Sequence, residues 1–190
     1  MPLPPPIQSR RQPVHTRRVT FESFRRDDGL WDIEGRLDDV KPFDVELSSG
    51  TVPGGASMHD MRIRLTIDDT LAIVDAAAVT DAMPYPPVCG EVAPGYRDEL
   101  VGLNLGRGFR REVLNRLGGV AGCTHMTELL LMFPTAAIQT LAGFKRDNED
   151  EGGKPFQLDR CHALDTRGET VREFYPKWHR SGKAGHEQVG

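Results

Sequence analysis

Several common functional signatures are missing from this sequence. No uninterrupted apolar run approaches 18 residues, which excludes a membrane-spanning helix. Cysteine is scarce: Cys89, Cys123 and Cys161 are odd in number and widely spaced, so they do not describe a disulfide framework and are read as free thiols, metal ligands or nucleophiles. There is no phosphate loop, and Gly102-Leu103-Asn104-Leu105-Gly106-Arg107-Gly108 lacks the strand-turn-helix context and glycine spacing of a dinucleotide fingerprint. No serine sits in a nucleophile-elbow sequence. Positive charge is not in excess, since 24 Lys and Arg against 28 Asp and Glu leave a net charge of -4 and no global footprint for nucleic acid. The N-terminus carries prolines where a secretory apolar segment would be. The expectation is a cytoplasmic protein with a small-molecule substrate and with no nucleic acid, membrane or nucleotide partner.

What is present points to one compact domain. A chain of 190 residues can bury about 70% of its unfolded surface, and 38% hydrophobic residues are enough for a core. With 20 Gly and 14 Pro, turn-forming content is too high for a helix bundle. The expected organisation is a proline-rich arm over 1–14, a single domain over 15–180 and a flexible tail over 181–190. Arg10, Arg11, Arg17, Arg18, Arg25 and Arg26 crowd the first 26 residues. They read as a solvated arm that packs on an acidic body or on a neighbouring subunit, with a homo-oligomer formed through that arm.

Val19, Phe21 and Ser23 alternate with Thr20 and Glu22, which predicts a strand over 18–26. Asp27-Asp28-Gly29 supplies a hairpin turn, and Trp31, Ile33, Gly35 and Leu37 form the buried side of its partner. Residues 48–57 show no periodicity and read as a loop. Met61, Ile63, Leu65 and Ile67 mark a third strand, and Asp68-Asp69 turns the chain into a fourth over 71–80. After the rigid connector Pro84-Tyr85-Pro86-Pro87, Phe109, Val113, Leu114 and Leu117 make one helical stripe. Leu129, Leu130, Phe133, Ala137 and Leu141 make another, on a helix capped by Thr124 and kinked near Pro134. Residues 145–154 read as a charged mobile loop, and 156–164 and 171–175 as a strand pair. The fold class expected is α+β: an antiparallel sheet of two hairpins plus a C-terminal strand pair, packed against two main helices.

Chemistry concentrates at a few positions. Period-2 geometry aims His59 at the same side as Met61 and Ile63, so it is either a hydrogen-bonded core residue or a ligand, while Asp60 faces the other way. In Gly122-Cys123-Thr124-His125-Met126-Thr127-Glu128, Cys123 and His125 sit at a helix start, where the dipole favours a thiolate. Cys161-His162 repeats the pairing on an expected strand, and Cys89 lies at the crossover from sheet to helices. No zinc-ribbon or zincin spacing is present, so a metal is suggested by residue types alone.

His15-Thr16-Arg17, Arg26-Asp27-Asp28-Gly29-Leu30-Trp31-Asp32, His59-Asp60-Met61, the segment from Pro84 to Cys89, Gly122-Cys123-Thr124-His125 and Cys161-His162 together resemble the bacterial family known as domain of unknown function 2889, over about 15–178. The resemblance implies no settled activity. It does imply that His59, Cys89, Cys123, His125 and Cys161 belong together. The leading expectation is therefore a metal-dependent lyase or hydrolase acting on a carbonyl-bearing or aromatic molecule. Zinc or iron would be held by His59, Cys89, Cys123 and His125, with Cys161 in reserve, and Asp60, Tyr85 and Glu128 would be acid-base groups. Two alternatives stay open: a metal-free enzyme in which Cys123, paired with His125 or His162, is the nucleophile, and a non-catalytic scaffold that docks through the basic arm.

Overall fold

The structure, a computed structural model, describes residues 3, 9–142, 144, 152–155 and 157–181. The chain divides into two compact units, 1–140 and 141–190. In the first, four antiparallel strands form a sheet in the order β1 (Thr16–Arg25), β2 (Trp31–Val40), β5 (Ser57–Ile67), β6 (Ile73–Ala82). The first hairpin pairs Arg25 with Trp31 and Thr16 with Val40. Its three-residue loop places Gly29 at φ +85°, a conformation open to glycine, while the Asp28 carboxylate accepts from the Leu30 N–H and from Arg26. Alternation then decides the two faces: Trp31, Ile33, Leu37, Met61, Ile63, Leu65 and Ile67 are buried, whereas Arg62 and Arg64 are exposed.

Among the described residues five α-helices follow: α1 (Val88–Glu91), α2 (Tyr96–Leu100), α3 (Phe109–Leu117), α4 (Thr124–Leu141) and α5 (Glu169–Phe174). Helix α4 carries the core stripe Met126, Leu129, Leu130, Phe133 and Ala137, all fully buried. It lies over the apolar face of the sheet, where Phe133 meets Phe21 edge to face at 5.0 Å and Thr140 bonds Ser23. Helix α3 is tied to α4 by the Thr127 hydroxyl, which donates to the Leu117 carbonyl, and by Arg110, which donates to Leu131. Past α2, residues 102–105 return to β6, where Gly102 and Leu103 exchange backbone bonds with Ile73.

The α+β class and both hairpins match the sequence expectation, with four local corrections. Residues 48–57 are not all loop, because β3 (Val45–Leu47) and β4 (Gly50–Val52) form a small hairpin around Ser48-Ser49, too short to show a period. Leu114 is exposed, since it falls outside the stripe that Phe109, Val113 and Leu117 make at four-residue steps. Arg17 belongs to β1 rather than to a solvated arm, and Arg18 and Arg25 lie on that strand as the period over 18–26 predicts.

The C-terminal strand pair is absent among the described residues. His162–Leu164 is a 3₁₀ turn and Glu169–Phe174 is α5. Asp159, at φ +62°, accepts from the Thr166 N–H and hydroxyl, and its own N–H donates to Leu164. These local bonds close a loop where a ladder was expected. Cys161 therefore does not sit on a strand. Within α5 the pattern is helical, with Arg172 bonded back to Glu169 and Val171 buried. Of the proline-rich arm, residues 3 and 9–14 are exposed; its remaining residues, 145–151 of the charged loop, Phe156, and 182–190 of the tail lie outside the described residues.

Gly35 sets how closely α4 approaches the sheet. A Cβ there would stand 2.9 Å from both Phe133 Cζ and Phe21 Cε1. Gly35→Ala is expected to lower stability by about 1–3 kcal/mol, the usual cost of overpacking a filled core. Urea unfolding monitored by circular dichroism checks this, and an unchanged midpoint would remove the steric constraint.

Candidate functional site

The buried side of β2 runs through the odd positions Trp31, Ile33, Gly35 and Leu37, and it does not stop there. Asp39 is the next odd position and is only 3% exposed. The register sets Arg17 of β1 directly across from Asp39, and Asp39 directly across from His59 of β5. A bulge follows at once, because Val40 pairs with Ser57 and leaves Met58 as the extra residue. Arg17, Asp39 and His59 thus form one row over three strands, on the face that α4 covers.

Asp39 is saturated with donors. Its Oδ1 accepts from His15 Nε2 at 2.9 Å and Arg17 Nε at 2.8 Å, and its Oδ2 from Arg17 Nη2 at 2.8 Å and His59 Nδ1 at 3.0 Å. Burial by itself would push this carboxyl's pKa up, but the fork of Arg17, then His15 and His59, holds it well below the usual carboxylate range. Arg17 uses its remaining Nη1 to donate to Glu128 Oε2 at 2.9 Å. Because a carboxylate only accepts, His59 must carry its proton on Nδ1, which leaves Nε2 with a free lone pair.

The start of α4 completes the cluster. The Thr127 N–H donates to the Cys123 carbonyl at 2.9 Å, so Cys123 occupies the capping position and Thr124 already lies inside the helix, which begins one residue earlier than the sequence suggests. Cys123 is pinned by its backbone N–H, which donates to the Tyr96 hydroxyl at 2.9 Å. The His125 ring stacks on His59 with centroids 3.8 Å apart and planes 32° apart. Its Nδ1 is 3.9 Å from Cys123 Sγ, and its Nε2 is 3.9 Å from Asp39 Oδ2, too long for a hydrogen bond. Burial, then His125, push the His59 pKa down against the pull of Asp39. Burial, then Arg17, push that of His125 down against Asp39 and Glu128. At neutral pH the result is two stacked imidazoles that favour the neutral form beside an ionised carboxylate.

Of the residues singled out from sequence, His59, Cys123 and His125 come together. Cys89 lies on α1, and among the described residues the His, Cys, Asp and Glu ligand atoms that gather within 4.8 Å of one another are those of Asp39, His59 and His125. Cys161 is exposed in the second unit. Asp60 is on the opposite face of the sheet, where Arg36 holds it bidentately at 2.8 and 2.7 Å, because neighbours on a strand point apart. Tyr85 is half exposed on the connector, and Glu128 is bonded to the cluster through Arg17. Sequence reasoning missed Asp39, Arg17 and His15. The stripe from Trp31 to Leu37 carries a signal for Asp39, since an acid that continues a buried period must have partners.

The model of a family described as "Protein of unknown function (DUF2889)" matches residues 15–139. No curated protein and no solved structure matches the chain.

The lowered histidines tie stability to pH. Both bind protons more weakly when folded, so their contribution is complete above the ordinary histidine value of about 6.5 and is lost as pH falls through their folded values. The melting temperature is expected to drop between about pH 7.5 and 5, and His125→Asn should flatten that drop. Asp39→Asn should cost about 2–3 kcal/mol at neutral pH, since it removes the charge that pairs with Arg17 and turns one of the two accepting oxygens into a donor. Scanning calorimetry over that range reads both effects, and a pH-independent midpoint would contradict the assignment of neutral rings.

Proposed function

This chain belongs to the DUF2889 family of proteins of unknown function, so its chemistry is sought in the cluster that the matched segment builds, and we propose that it is an enzyme of lyase or hydrolase type that moves protons on a small carbonyl-bearing or aromatic molecule. The observation that carries this reading is the Asp39–His59 pair, whose 3.0 Å bond leaves His59 Nε2 as an acceptor beside a second neutral imidazole. In the proposed mechanism His59 Nε2 takes a proton from substrate or from water, and the fixed charge of Asp39 stabilises the imidazolium that forms. His125, stacked on it, is a second neutral imidazole on the same side of the reacting atom and returns the proton there. The first-turn N–H groups of α4, which have no carbonyl partner within the helix, and the positive end of its dipole stabilise negative charge that develops on a substrate oxygen. Arg17 serves to hold Asp39, because each of its three nitrogens makes a bond, Nε and Nη2 to Asp39 and Nη1 to Glu128.

A metal-dependent form of the same site is the second reading, favoured by the ligand atoms of Asp39, His59 and His125 lying within 4.8 Å of one another. The donor set fits in part. Neutral imidazoles suit zinc or ferrous ion, but the four bonds to Asp39 occupy both its oxygens. That carboxylate would stand behind His59 and orient it, with His59 Nε2 and His125 as the ligands. The ion would supply a Lewis acid for a carbonyl oxygen.

The test is a screen of carbonyl-bearing and aromatic compounds with the wild-type protein, His59→Asn and His125→Asn. The expected outcome is an activity that falls on the acid side through an ionisation below about 6.5 and drops by roughly 10²–10⁴ in His59→Asn. Activity that survives His59→Asn would defeat the proposal. Elemental analysis and dialysis against chelator separate the two forms, because only the metal-dependent one loses activity with its ion.

A further inference from the structure

The sheet has one edge that nothing among the described residues covers. On the far side, β6 is bonded near its start by residues 102–105. On the near side, β1 is ten residues long and exposed at all but Val19 and Phe21, which are half buried. An open strand of that length is a template for another strand.

The register says which groups it offers. Arg26 donates its N–H to Leu30, directly across the same ladder that pairs Arg25 with Trp31. Bonded pairs alternate along an antiparallel ladder, so the even-numbered residues of β1 bond to β2, and the odd-numbered ones, from Arg17 to Arg25, turn their N–H and C=O groups outward. A second antiparallel strand must therefore pair odd residues with odd. If the partner is β1 of another copy, the two-fold axis has to pass through a residue. Centring it on Thr20 sets Arg18 of each copy opposite Glu22 of the other, and Val19 opposite Phe21, twice each. Centring on Phe21 opposes Arg17 to Arg25; centring on Arg18 or on Glu22 opposes like charges at the axis itself. The register at Thr20 is the one that matches charges throughout 16–24.

A second feature lies along the same edge. A groove of about 400 Å³ on the α4 side is lined by Phe21, Met132, Ala136 and Gln139 among others, and Met132 is half exposed. The paired Val19 and Phe21 side chains would lie on that side, continuous with the groove.

We propose that two copies of this chain associate through antiparallel pairing of β1 with β1 about Thr20, which joins two four-stranded sheets into one of eight strands and closes the groove beside α4. The interface is the strand that follows the arm rather than the arm, and it stands independently of the proposed chemistry.

Light scattering on size-exclusion eluates of the full chain, at several micromolar concentrations, tests the pairing. The wild-type chain should be a dimer. Glu22→Arg places Arg opposite Arg at two sites, and Arg18→Glu places Glu opposite Glu; each should weaken the dimer about tenfold or more. Within its own sheet Glu22 faces Glu34, so Glu22→Arg leaves the fold without a new repulsion there, and circular dichroism confirms folding of both variants. An equimolar mixture restores Arg–Glu at both sites and should regain the dimer. A monomeric wild type, variants that dimerise as tightly as wild type, or a mixture that stays monomeric would each overturn the proposal.

Discussion

A carboxylate buried at the junction of three strands must find several donors or lose several kcal/mol in desolvation. Asp39 is that carboxylate, and the arrangement around it follows from its demand. Arg17 supplies a two-point fork from β1, His59 supplies one N–H from β5, and His15, just before β1, supplies another. Those bonds decide the tautomer of His59, and with it which ring nitrogen is left to react. They also engage the Arg17 guanidinium, whose Nη1 reaches Glu128 on α4. An ion pair that began as compensation for burial thus orders a reactive imidazole and links the sheet to the start of the helix.

Helix α4 closes the site from above, and its approach is set at a distance. Gly35 lets the Phe133 and Phe21 rings sit against β2, in the same odd-numbered row that ends at Asp39. At the other end, Tyr96 fixes the backbone of Cys123 and so the first turn that carries His125. Chemistry and packing share one face. The opposite face carries the bidentate pair of Arg36 with the buried Asp60, and the pairs of Arg62 with Asp81 and of Arg64 with Glu34, which are half exposed and worth little each.

The same saturation of Asp39 weighs on the choice between proton transfer and a metal. A cation bound directly by Asp39 would have to displace a bond from Arg17 or a histidine and sit beside a guanidinium. Imidazole nitrogens are less encumbered, which is why either form of the chemistry returns to His59 and His125. The Cys123 thiol, 3.9 Å from His125 and 3.8 Å from Met61 Sδ, packs at the rim of the cluster.

Period and turn chemistry were enough to read the two hairpins, the buried side of β2 and the core stripe of α4, because alternation and four-residue spacing report which side of an element avoids water. The same logic aimed His59 inward and Asp60 outward, and it placed Cys123 and His125 at a helix start. It failed at 156–175, where Asp159 closes a loop by side-chain bonds that no hydrophobic period records. It failed also at Asp39, which carried no reading, at Arg17, read as part of a solvated arm, and at His15, which entered only with the family resemblance. Their roles depend on register: a strand's neighbours in space are chosen by pairing across turns and crossovers, so the meeting of positions 15, 17, 39, 59 and 125 is a property of the assembled sheet and helix and not of any one segment.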